Sequence, residues 1–549
     1  MTGAFHALIC APILASGLRA TEPQAPPLFR TCSIPVAEDA RVEEVLSCDL
    51  SGDDIADVCI ATRGLQVAGS KTPARARLAV HTRRAPGGAS GTAAFSATPE
   101  ATLDLPSDVI AFAACDVLPD AGREILLFNA AGVFAWRWRE TDESKRVTRL
   151  LDVEFLWQLP AGGTLFHLQD GVVDLDGDGL EDLIVPEPDG ARVVFQRPAG
   201  ESPRFGAPQR IAVPEESIEG RGPEKGRVTL RSPGGRRRLS IDLGEQFDLR
   251  GESAPGGPYL AIDESAPPMA ILDWDGDGDR DLLALSAASL HVHVQEPRGT
   301  FDPARALRLP SPVPRDRKRE LDVSYQVRAL DLDLDARADV VFFAQDQRSD
   351  SARTQALVFR QGRASAGEVP LFGKDGKPTE LLVLDGFARA LTIEDVDGDG
   401  MPDLVAAALR PNLIDAMRAA ASERIDTELY VFRNRGAQGF SKRPDLTRVL
   451  SLQAGGGQGS GGSSPFLADF AGDVTGDGVR DLFVRTDRDR LRVHMVRRGK
   501  DGALNVVDAP LWELAIDPKS RVLMPGVLME RTPDIFVLEP GAVVCASFR

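Results

Sequence analysis

Short apolar runs flank an acidic turn at many points along the chain. In one stretch, Ala270–Leu272 precedes the string DWDGDGDRD, and Asp281–Leu285 follows at its end. Apolar runs of this length, bounded by turn residues, are typical of buried or half-buried strands. Leu290–Val294 and Ala304–Leu309 continue the pattern. The segment therefore predicts four antiparallel strands, with the acidic turn between the first two.

The same unit recurs along the chain at a usual spacing of about sixty residues. Six turns keep an acid at the first, fifth and ninth positions, and they begin at Asp49, Asp174, Asp273, Asp331, Asp395 and Asp473. Degenerate copies lie at Asp116 and around Asp534. Repeated four-stranded units predict an all-β propeller, because radial closure removes the exposed edges of an open sheet. Eight blades are favoured, with seven as the alternative.

The two ends of the chain predict one shared blade. The last repeat stops at its third strand, Gly541–Phe548, and Leu28–Ile34 resembles a fourth strand that lacks a repeat of its own. We expect these strands to pair and to close the ring, with Cys32 facing Cys545 as a disulfide. Cysteines on different blades would instead favour a seven-bladed ring with a free tail.

Two insertions interrupt the repeats. Residues 214–265 are rich in Gly, Pro and Arg and contain two strand-like runs, Arg227–Arg231 and Leu239–Leu243. They predict a surface hairpin between blades. Residues 412–425 have helical composition.

The N-terminal segment, residues 1–20, resembles a signal peptide. An apolar run from Ala4 to Leu14 is followed by small residues ending at Ala20. We therefore expect export, with cleavage near Ala20, and a secreted, periplasmic or cell-surface propeller over residues 21–549. No other segment approaches the roughly 18 consecutive apolar residues of a membrane span.

The charge of the chain changes this picture in one respect. The formal net charge is −18, which disfavours a nucleic-acid partner, because binding phosphates requires a basic face. Much of the acid lies in the repeated turns, where clustered carboxylates require a cation. The bulk composition is otherwise that of a globular protein.

The acidic turns predict calcium sites. Calcium prefers six to eight oxygen ligands, which a tight loop supplies through carboxylates on alternate residues and a backbone carbonyl at position seven. An EF-hand would close with Glu at position twelve between helices, whereas these loops close with an acid at position nine before a strand. The predicted ligands of about six Ca²⁺ sites are Asp49, Ser51, Asp53 and Asp57; Asp174, Asp176, Asp178 and Asp182; Asp273, Asp275, Asp277 and Asp281; Asp331, Asp333, Asp335 and Asp339; Asp395, Asp397, Asp399 and Asp403; and Asp473, Thr475, Asp477 and Asp481.

The number of acids ranks these loops. The loops at Asp174, Asp273 and Asp395 place aspartate at positions one, three, five and nine and glycine at positions four and six, so they are predicted to bind most strongly. The neutral Ser51 and Thr475 weaken two others. The Asp331 loop keeps four acids but lacks both glycines, and the Asp116 loop is not counted as a site.

This pattern resembles the FG-GAP/VCBS repeat family, known from integrin α-subunit propellers and exported bacterial proteins. The acidic loops carry the resemblance over nearly the whole mature chain, with Phe205-Gly-Ala-Pro208 as a partial copy of the family's signature. It implies a scaffold whose calcium loops serve structure, while partners meet the opposite face or inserted loops. We expect a non-catalytic monomer that binds a protein or a glycan.

Several further residues leave alternatives open. Cys48 and Cys59 bracket one acidic loop and could form a disulfide or remain buried thiols. No nucleophile or zinc-protease motif is present. His291 with His293, and Trp136 with Trp138, could mark a metal or sugar site, but structural packing is favoured for both pairs. A polysaccharide lyase on a calcium propeller is the alternative function.

Overall fold

The computed structural model describes most of the chain beyond residue 28. The described ranges are residues 29–65, 74–84, 94–119, 121–155, 165–198, 200–201, 204–213, 219–224, 227–231, 237–242, 259–264, 266–286, 289–296, 299–311, 323–335, 337–346, 353–362, 377–409, 424–453, 468–487, 489–500, 502–518, 520–523 and 534–548. Over these ranges the regular structure is β, apart from short 3-10 turns at Glu143–Lys145, Gln169–Gly171, Pro303–Arg305 and Gly436–Gln438.

The strands form eight propeller blades, numbered here from the N-terminus. The first strand, β1 (Phe29–Pro35), belongs to blade 8. Blade 1 contains β2 (Ala40–Cys48), β3 (Asp57–Gly64), β4 (Ala76–His81), the ribbon of β5 (Arg83–Arg84) and β6 (Ala94–Phe95), and β7 (Ala101–Asp104). Blade 2 contains β8 (Ala111–Cys115), β9 (Glu124–Asn129), β10 (Gly132–Trp136) and β11 (Val147–Asp152), with β12 (Phe166–His167) parallel to β8. Blade 3 contains β13 (Val172–Val173), β14 (Asp182–Glu187), β15 (Gly190–Val194) and β16 (Gln209–Ala212).

A separate sheet follows blade 3, made of β17 (Glu219–Glu224), β18 (Arg227–Arg231), β19 (Arg237–Asp242) and β20 (Tyr259–Glu264). Blade 4 contains β21 (Met269–Leu272), β22 (Asp281–Leu285), β23 (Ser289–His293), the ribbon of β24 (Gln295–Glu296) and β25 (Thr300–Phe301), and β26 (Leu307–Pro310). Blade 5 contains β27 (Val323–Leu330), β28 (Asp339–Asp346), β29 (Arg353–Phe359) and β30 (Glu380–Asp385).

Blade 6 contains β31 (Phe387–Glu394), β32 (Asp403–Leu409), β33 (Arg424–Phe432) and β34 (Leu446–Gln453). Blade 7 contains β35 (Ala468–Gly472), β36 (Asp481–Asp487), β37 (Arg490–His494), the ribbon of β38 (Val496–Arg498) and β39 (Leu504–Val506), and β40 (Trp512–Ala515). Blade 8 contains β41 (Arg521–Leu523), β42 (Ile535–Glu539) and β43 (Ala542–Phe548), with β1 at its outer edge.

The acidic loops occupy the predicted place in each repeat. The ninth residue of a loop is the first residue of the second strand in its blade, as Asp281 is for β22 and Asp403 is for β32. Each loop therefore joins the first strand to the second. Because equivalent strands run in the same direction in every blade, all six loops lie on one face of the propeller.

The hydrophobic core lies between blades. A cluster of buried apolar side chains joins each blade to the next, and one cluster joins blade 8 to blade 1 through residues such as Ile34 and Val58. In blade 8, β1 pairs antiparallel with β43. The strands at the two ends thus share one sheet, as predicted, and the packing continues from blade 8 to blade 1.

The insertion after blade 3 differs from the predicted hairpin. The strand-like runs correspond to β18 and β19, but the described residues of the insertion form a four-stranded antiparallel sheet. Four strands satisfy more backbone groups than an isolated hairpin, which is only marginally stable in water. This sheet does not separate its neighbours, because Leu282 of blade 4 belongs to the same buried cluster as Val193 of blade 3.

Two boundaries also differ from the sequence predictions. The fourth strand of blade 4 begins at Leu307, because Pro303–Arg305 forms a 3-10 turn. Arg424 and Ile425, assigned to a helical insertion by composition, open β33. The rest of that insertion and the proposed signal peptide lie outside the described residues.

Candidate metal centres in the acidic loops

The first aspartate organises the turn of each loop. In the Asp273 loop, Gly276 N–H donates to one carboxylate oxygen at 2.7 Å, and Gly278 N–H donates to the other at 3.1 Å. The same pair of bonds occurs in the loops that begin at Asp49, Asp174, Asp395 and Asp473. The position-one carboxylate therefore fixes the loop conformation through its neighbours' backbone amides.

Positions four and six adopt left-handed backbone conformations. Gly276 and Gly278 have φ values of 82° and 97°, which glycine adopts without a steric penalty. The Asp331 loop has Leu334 at position four with φ 60°, and a leucine is strained in that region. The absence of this glycine thus leaves the turn in place and adds strain.

The ninth aspartate is buried and ties the loop to the blade. Asp281 is 0% exposed; its Oδ2 accepts from Trp274 N–H at 2.6 Å, and its Oδ1 accepts from Gln295 N–H at 2.7 Å. The equivalent pairs of bonds are made by Asp182, Asp339, Asp403 and Asp481. These closing aspartates link the loop to the residue that lies two positions after the end of the third strand.

Burial makes the charged form of these closing aspartates costly. It raises the pKa of Asp182, Asp281 and Asp403 to about 7 and that of Asp339 and Asp481 to about 6, against the partly opposing effect of backbone hydrogen bonds. A nearby cation would favour ionisation and reverse these shifts. A cation bound in the loop would therefore stabilise the ionised form of these buried carboxylates.

The carboxylates converge in four loops. Acid oxygens lie within 4.8 Å of one another for Asp174, Asp176 and Asp182; Asp273, Asp275 and Asp281; Asp331, Asp333 and Asp339; and Asp395, Asp397 and Asp399. Such an all-oxygen set fits a hard divalent cation such as Ca²⁺. Within the described residues, the loops with Ser51 and Thr475 form no equivalent group of three acids. In the Asp395 loop the closing Asp403 is outside the converging group.

Amide side chains connect neighbouring loops, a feature that the repeat pattern did not reveal. Gln295, whose backbone N–H binds Asp281, donates from Nε2 to the carbonyl of Leu175 in the preceding blade's loop at 3.0 Å. The set is Gln196, Gln295, Gln361 and Asn434, and we term these residues the interblade amides. Each joins its own closing aspartate to the backbone of the previous loop.

Arginines take part in the same network. Arg83 pairs with Asp534 of blade 8, and Arg498 of blade 7 contacts the loop of blade 6 at Asp397. Arg360 and Arg433 also contact loop carboxylates, of the Asp331 and Asp395 loops respectively. Sequence reasoning missed them because each lies far along the chain from the loop it contacts.

The other candidate residues have structural positions. Trp136 and Trp138 are buried between blades 1 and 2, and the Trp138 indole donates to the Arg123 carbonyl at 3.0 Å. They present no sugar-binding platform. His291 and His293 are buried in blade 4, where burial lowers the pKa of His293.

The cysteines of the described chain are free thiols. Cys32 lies opposite Cys545 on paired strands, as predicted, but no disulfide joins them. A hydrogen bond with the Cys545 thiol lowers the pKa of Cys32 to about 6. Cys48 and Cys59 are fully buried thiols, and burial raises the pKa of Cys48 to about 12.

Comparison with solved structures gives only distant similarities. They include a lectin of Agrocybe aegerita that recognises non-reducing terminal N-acetylglucosamine (15% identity, 87% of this chain and 93% of that chain, TM-score 0.33), Sqt1 from Chaetomium thermophilum (11%, 93% and 97%, 0.35) and the V. cholerae biofilm matrix protein Bap1 (13%, 94% and 88%, 0.20). Similarities this low identify no ligand for this chain. No curated protein matches it significantly.

In the described part of the chain, no helix is both long and apolar enough to cross a membrane. The profile of the FG-GAP-like repeat matches residues 273–342, which contain the Asp273 and Asp331 loops and most of blade 4. The matched segment has the same four-stranded unit and acidic loop that recur around the eight-bladed ring. The chain is therefore an eight-bladed β-propeller that contains an FG-GAP-like repeat at residues 273–342.

Proposed function

We propose that this protein is an exported, calcium-stabilised propeller that binds a protein or a carbohydrate without catalysing a reaction. The observation that carries the calcium part is the geometry of the Asp174 and Asp273 loops. In each loop three carboxylates converge, one of them the buried closing aspartate, and the ion pairs of the described residues include none to these three carboxylates. A divalent cation would supply the missing charge.

The residues that would hold calcium have distinct parts. Asp273, Asp275 and Asp281 would donate carboxylate oxygens, and the backbone bonds from Gly276 and Gly278 would keep the first carboxylate in place. The bound ion would supply charge compensation rather than chemistry. The closing aspartate would then be ionised, and its hydrogen bonds to backbone N–H groups would hold the start of the second strand in place.

The calcium hypothesis is tested by titrating Ca²⁺ into the metal-free full-length chain, with binding followed by calorimetry. We expect saturable binding and a higher melting temperature, because a ligand that binds only the native state stabilises it by mass action. Asp275→Asn should remove one site, whereas Asp302→Asn, outside the acidic loops, is the matched control. An unchanged melting temperature and no heat of binding would reject calcium stabilisation.

The binding function is supported by the topology of the insertion. The acidic loops join first and second strands, whereas the β17–β20 sheet lies in the connection from the fourth strand of blade 3 to the first strand of blade 4. Such connections leave a blade at the edge opposite the acidic loops. Calcium would thus stiffen the face that carries the acidic loops. The insertion gives the opposite face a feature that the other blades lack, and we propose that the ligand binds there.

A glycan array and a protein-ligand screen test this part. The intact chain is compared with a variant in which residues 219–264 are replaced by a short Gly/Ser linker. We expect ligand binding in the intact chain and its loss in the variant, with the melting temperature preserved because blades 3 and 4 pack directly. Equal binding by a folded variant would exclude the insertion as the ligand site.

Export and the disulfide belong to the same proposal. Expression of residues 1–549 in a bacterial host, followed by fractionation and N-terminal sequencing, should give an exported chain beginning near Thr21.

In an oxidising compartment we propose that Cys32 and Cys545, which are opposed on β1 and β43, form a disulfide. Mass spectrometry of the exported chain should find the cross-linked peptides, and two alkylated thiols would contradict it.

A further inference from the structure

Two arginines contact the acidic loop of blade 6. Arg498 Nη2 lies 2.8 Å from Asp397 Oδ2, and Arg433 Nε pairs with the same oxygen. Arg433 Nη2 also lies 3.5 Å from Asp399 Oδ2. The Asp397 side chain is 0% exposed. Two guanidinium groups therefore offset the charges of the third and fifth carboxylates of this loop, with the Arg433 side chain 14% and the Arg498 side chain 37% exposed.

One arginine has the same position in blade 5. Arg360 Nη1 lies 3.3 Å from Asp333 Oδ2 and 3.9 Å from Asp339 Oδ2. Arg360 Nε is held by Glu380 Oε1 at 3.1 Å, and the side chain is only 13% exposed. A buried guanidinium thus lies between the third and ninth carboxylates, which would otherwise be ligands of the metal.

These arginines have equivalent places in their repeats. Arg360 directly follows β29, and Arg433 directly follows β33. The same position holds the uncharged Phe195 in blade 3 and Val294 in blade 4. The residue directly after the third strand is therefore an arginine in the blades of the Asp331 and Asp395 loops. It is uncharged in the blades of the Asp174 and Asp273 loops.

We infer that Arg360, and Arg433 together with Arg498, are the resident cations of the Asp331 and Asp395 loops, which consequently stay free of calcium at concentrations that fill the Asp174 and Asp273 loops. This inference rests on the proposed calcium binding. The guanidinium groups offset the charges of Asp333 and Asp397 through ion pairs, and Arg433 Nη2 also donates a charge-assisted hydrogen bond to Asp399. Calcium could enter only by displacing them.

Displacement is opposed by the other contacts of these arginines. Arg433 Nη1 donates to the Gly502 carbonyl at 2.9 Å, and Arg498 donates to the Asp397 carbonyl. Moving the Arg433 guanidinium away leaves the fully buried Asp397 carboxylate with less positive charge beside it, which is costly in a protein interior. If it stayed, its positive charge would repel Ca²⁺ at a separation of a few ångströms.

The Asp395 loop also differs from its neighbours in geometry. Its converging oxygens belong to positions one, three and five, whereas those of the Asp174, Asp273 and Asp331 loops belong to positions one, three and nine. Closing Asp403 therefore does not share a cation position with Asp397. By acid count this loop ranks with the strongest, but its internal arginines predict that it is among the weakest.

The first test compares matched substitutions at position three. Equilibrium dialysis with ⁴⁵Ca²⁺ is performed on full-length wild type, Asp275→Asn and Asp397→Asn. We expect Asp275→Asn to lower the stoichiometry by one ion, and Asp397→Asn to leave it unchanged. Loss of one ion in both variants would overturn the arginine inference while leaving calcium binding intact. No change in either, together with no calcium uptake by wild type, would instead reject the proposed calcium binding.

The second test removes the arginines. The double variant Arg433→Gln/Arg498→Gln should gain one calcium site, with an affinity at least tenfold higher than that of the same loop in wild type. Its melting temperature should fall in calcium-free buffer and recover when calcium is added, because the ion replaces the missing charge. A fold defect alone would lower both temperatures equally. Adding Asp397→Asn to the double variant should abolish the new site, and unchanged stoichiometry in the correctly folded double variant would refute the inference.

Discussion

Calcium removal should make the stability of the chain fall more steeply as pH rises. In the calcium-free chain, burial raises the pKa of Asp182, Asp281 and Asp403 from 3.8 to about 7. Between pH 4 and pH 7 the folded state then binds protons that the unfolded state has released. The free energy of unfolding therefore falls as pH rises through this window. Bound calcium holds the closing aspartates of its loops ionised, so it removes their contribution to this dependence.

The expected magnitude follows from the number of buried carboxylates. One proton taken up on folding changes stability by about 1.4 kcal/mol per pH unit. Asp182 and Asp281 belong to the two loops without internal arginines, and they are 1% and 0% exposed. Together they give a difference of at most about 3 kcal/mol per pH unit between the calcium-free and calcium-loaded chains. For a chain of this length that corresponds to a melting-temperature difference of about 2–3 °C per pH unit.

Differential scanning calorimetry at several pH values between 5 and 8 measures this effect. Calcium is removed with a chelating resin, because soluble chelators lose affinity in acid. The stabilisation by calcium should grow with pH up to about pH 7 and then level off, and Asp281→Asn should reduce its slope by half. Ionisable groups outside the calcium loops cancel in the difference between the two conditions, whereas Asp176 and Asp275, whose pKa values are also raised, add to it. Parallel pH profiles with and without calcium would refute the assignment of buried, metal-compensated closing aspartates.

Three further outcomes are expected. Leu334→Gly should stabilise the chain by up to about 1 kcal/mol in a denaturant titration, because release of left-handed strain outweighs the backbone entropy of glycine; Leu334 is 57% exposed and loses little packing. Gln295→Leu should destabilise it by about 1–3 kcal/mol, because the Leu175 carbonyl loses a buried donor. Terbium bound in place of calcium should luminesce on tryptophan excitation through Trp274, which is in the Asp273 loop, and Trp274→Phe should abolish that signal while preserving calcium binding.

The propeller could be predicted from the sequence because its signal is repeated. One acidic turn between two apolar runs is a weak pattern, but six in phase determine the strand order and the position of each loop. The shared terminal blade could also be predicted, since Leu28–Ile34 and Gly541–Phe548 were the only segments left to complete it. The insertion was predicted less well. The strand-like runs of β18 and β19 were identified, whereas β17 (EGRGPE) has no apolar pattern and the apolar start of β20, Tyr259–Ile262, was not recognised as a strand.

The loop conformation could be predicted for similar reasons. Aspartate at position one and glycine at positions four and six act on their own loop, so the relevant contacts are local. The turn survives even where Leu334 replaces glycine, which shows that the carboxylate network and the flanking strands dominate over the backbone preference of one residue. Ranking the loops by acid count failed to consider partners that are distant in sequence. Arg433 lies beyond the third strand, and Arg498 comes from the next blade.

The interblade amides each couple their own blade to the preceding blade, so this coupling around the ring runs in one direction. Each backbone N–H binds the closing aspartate of its own blade, and each side chain reaches back to the loop of the previous blade, as Gln361 does from Asp339 to the Trp274 carbonyl at 3.2 Å. A closing aspartate that shifts on losing its cation therefore moves the amide that is hydrogen-bonded to the loop of the preceding blade. Within the described part of the chain, the same amide makes no such bond to the loop of the following blade. In blade 5 Arg360 lies 3.9 Å from the closing Asp339 and holds it without calcium, whereas in blade 6 Arg433 and Arg498 act on Asp397. Because each amide reaches only toward the preceding blade, disorder should spread from blades 3 and 4 toward blade 2 and not toward blade 5, and calcium removal should loosen blades 3 and 4 before the rest.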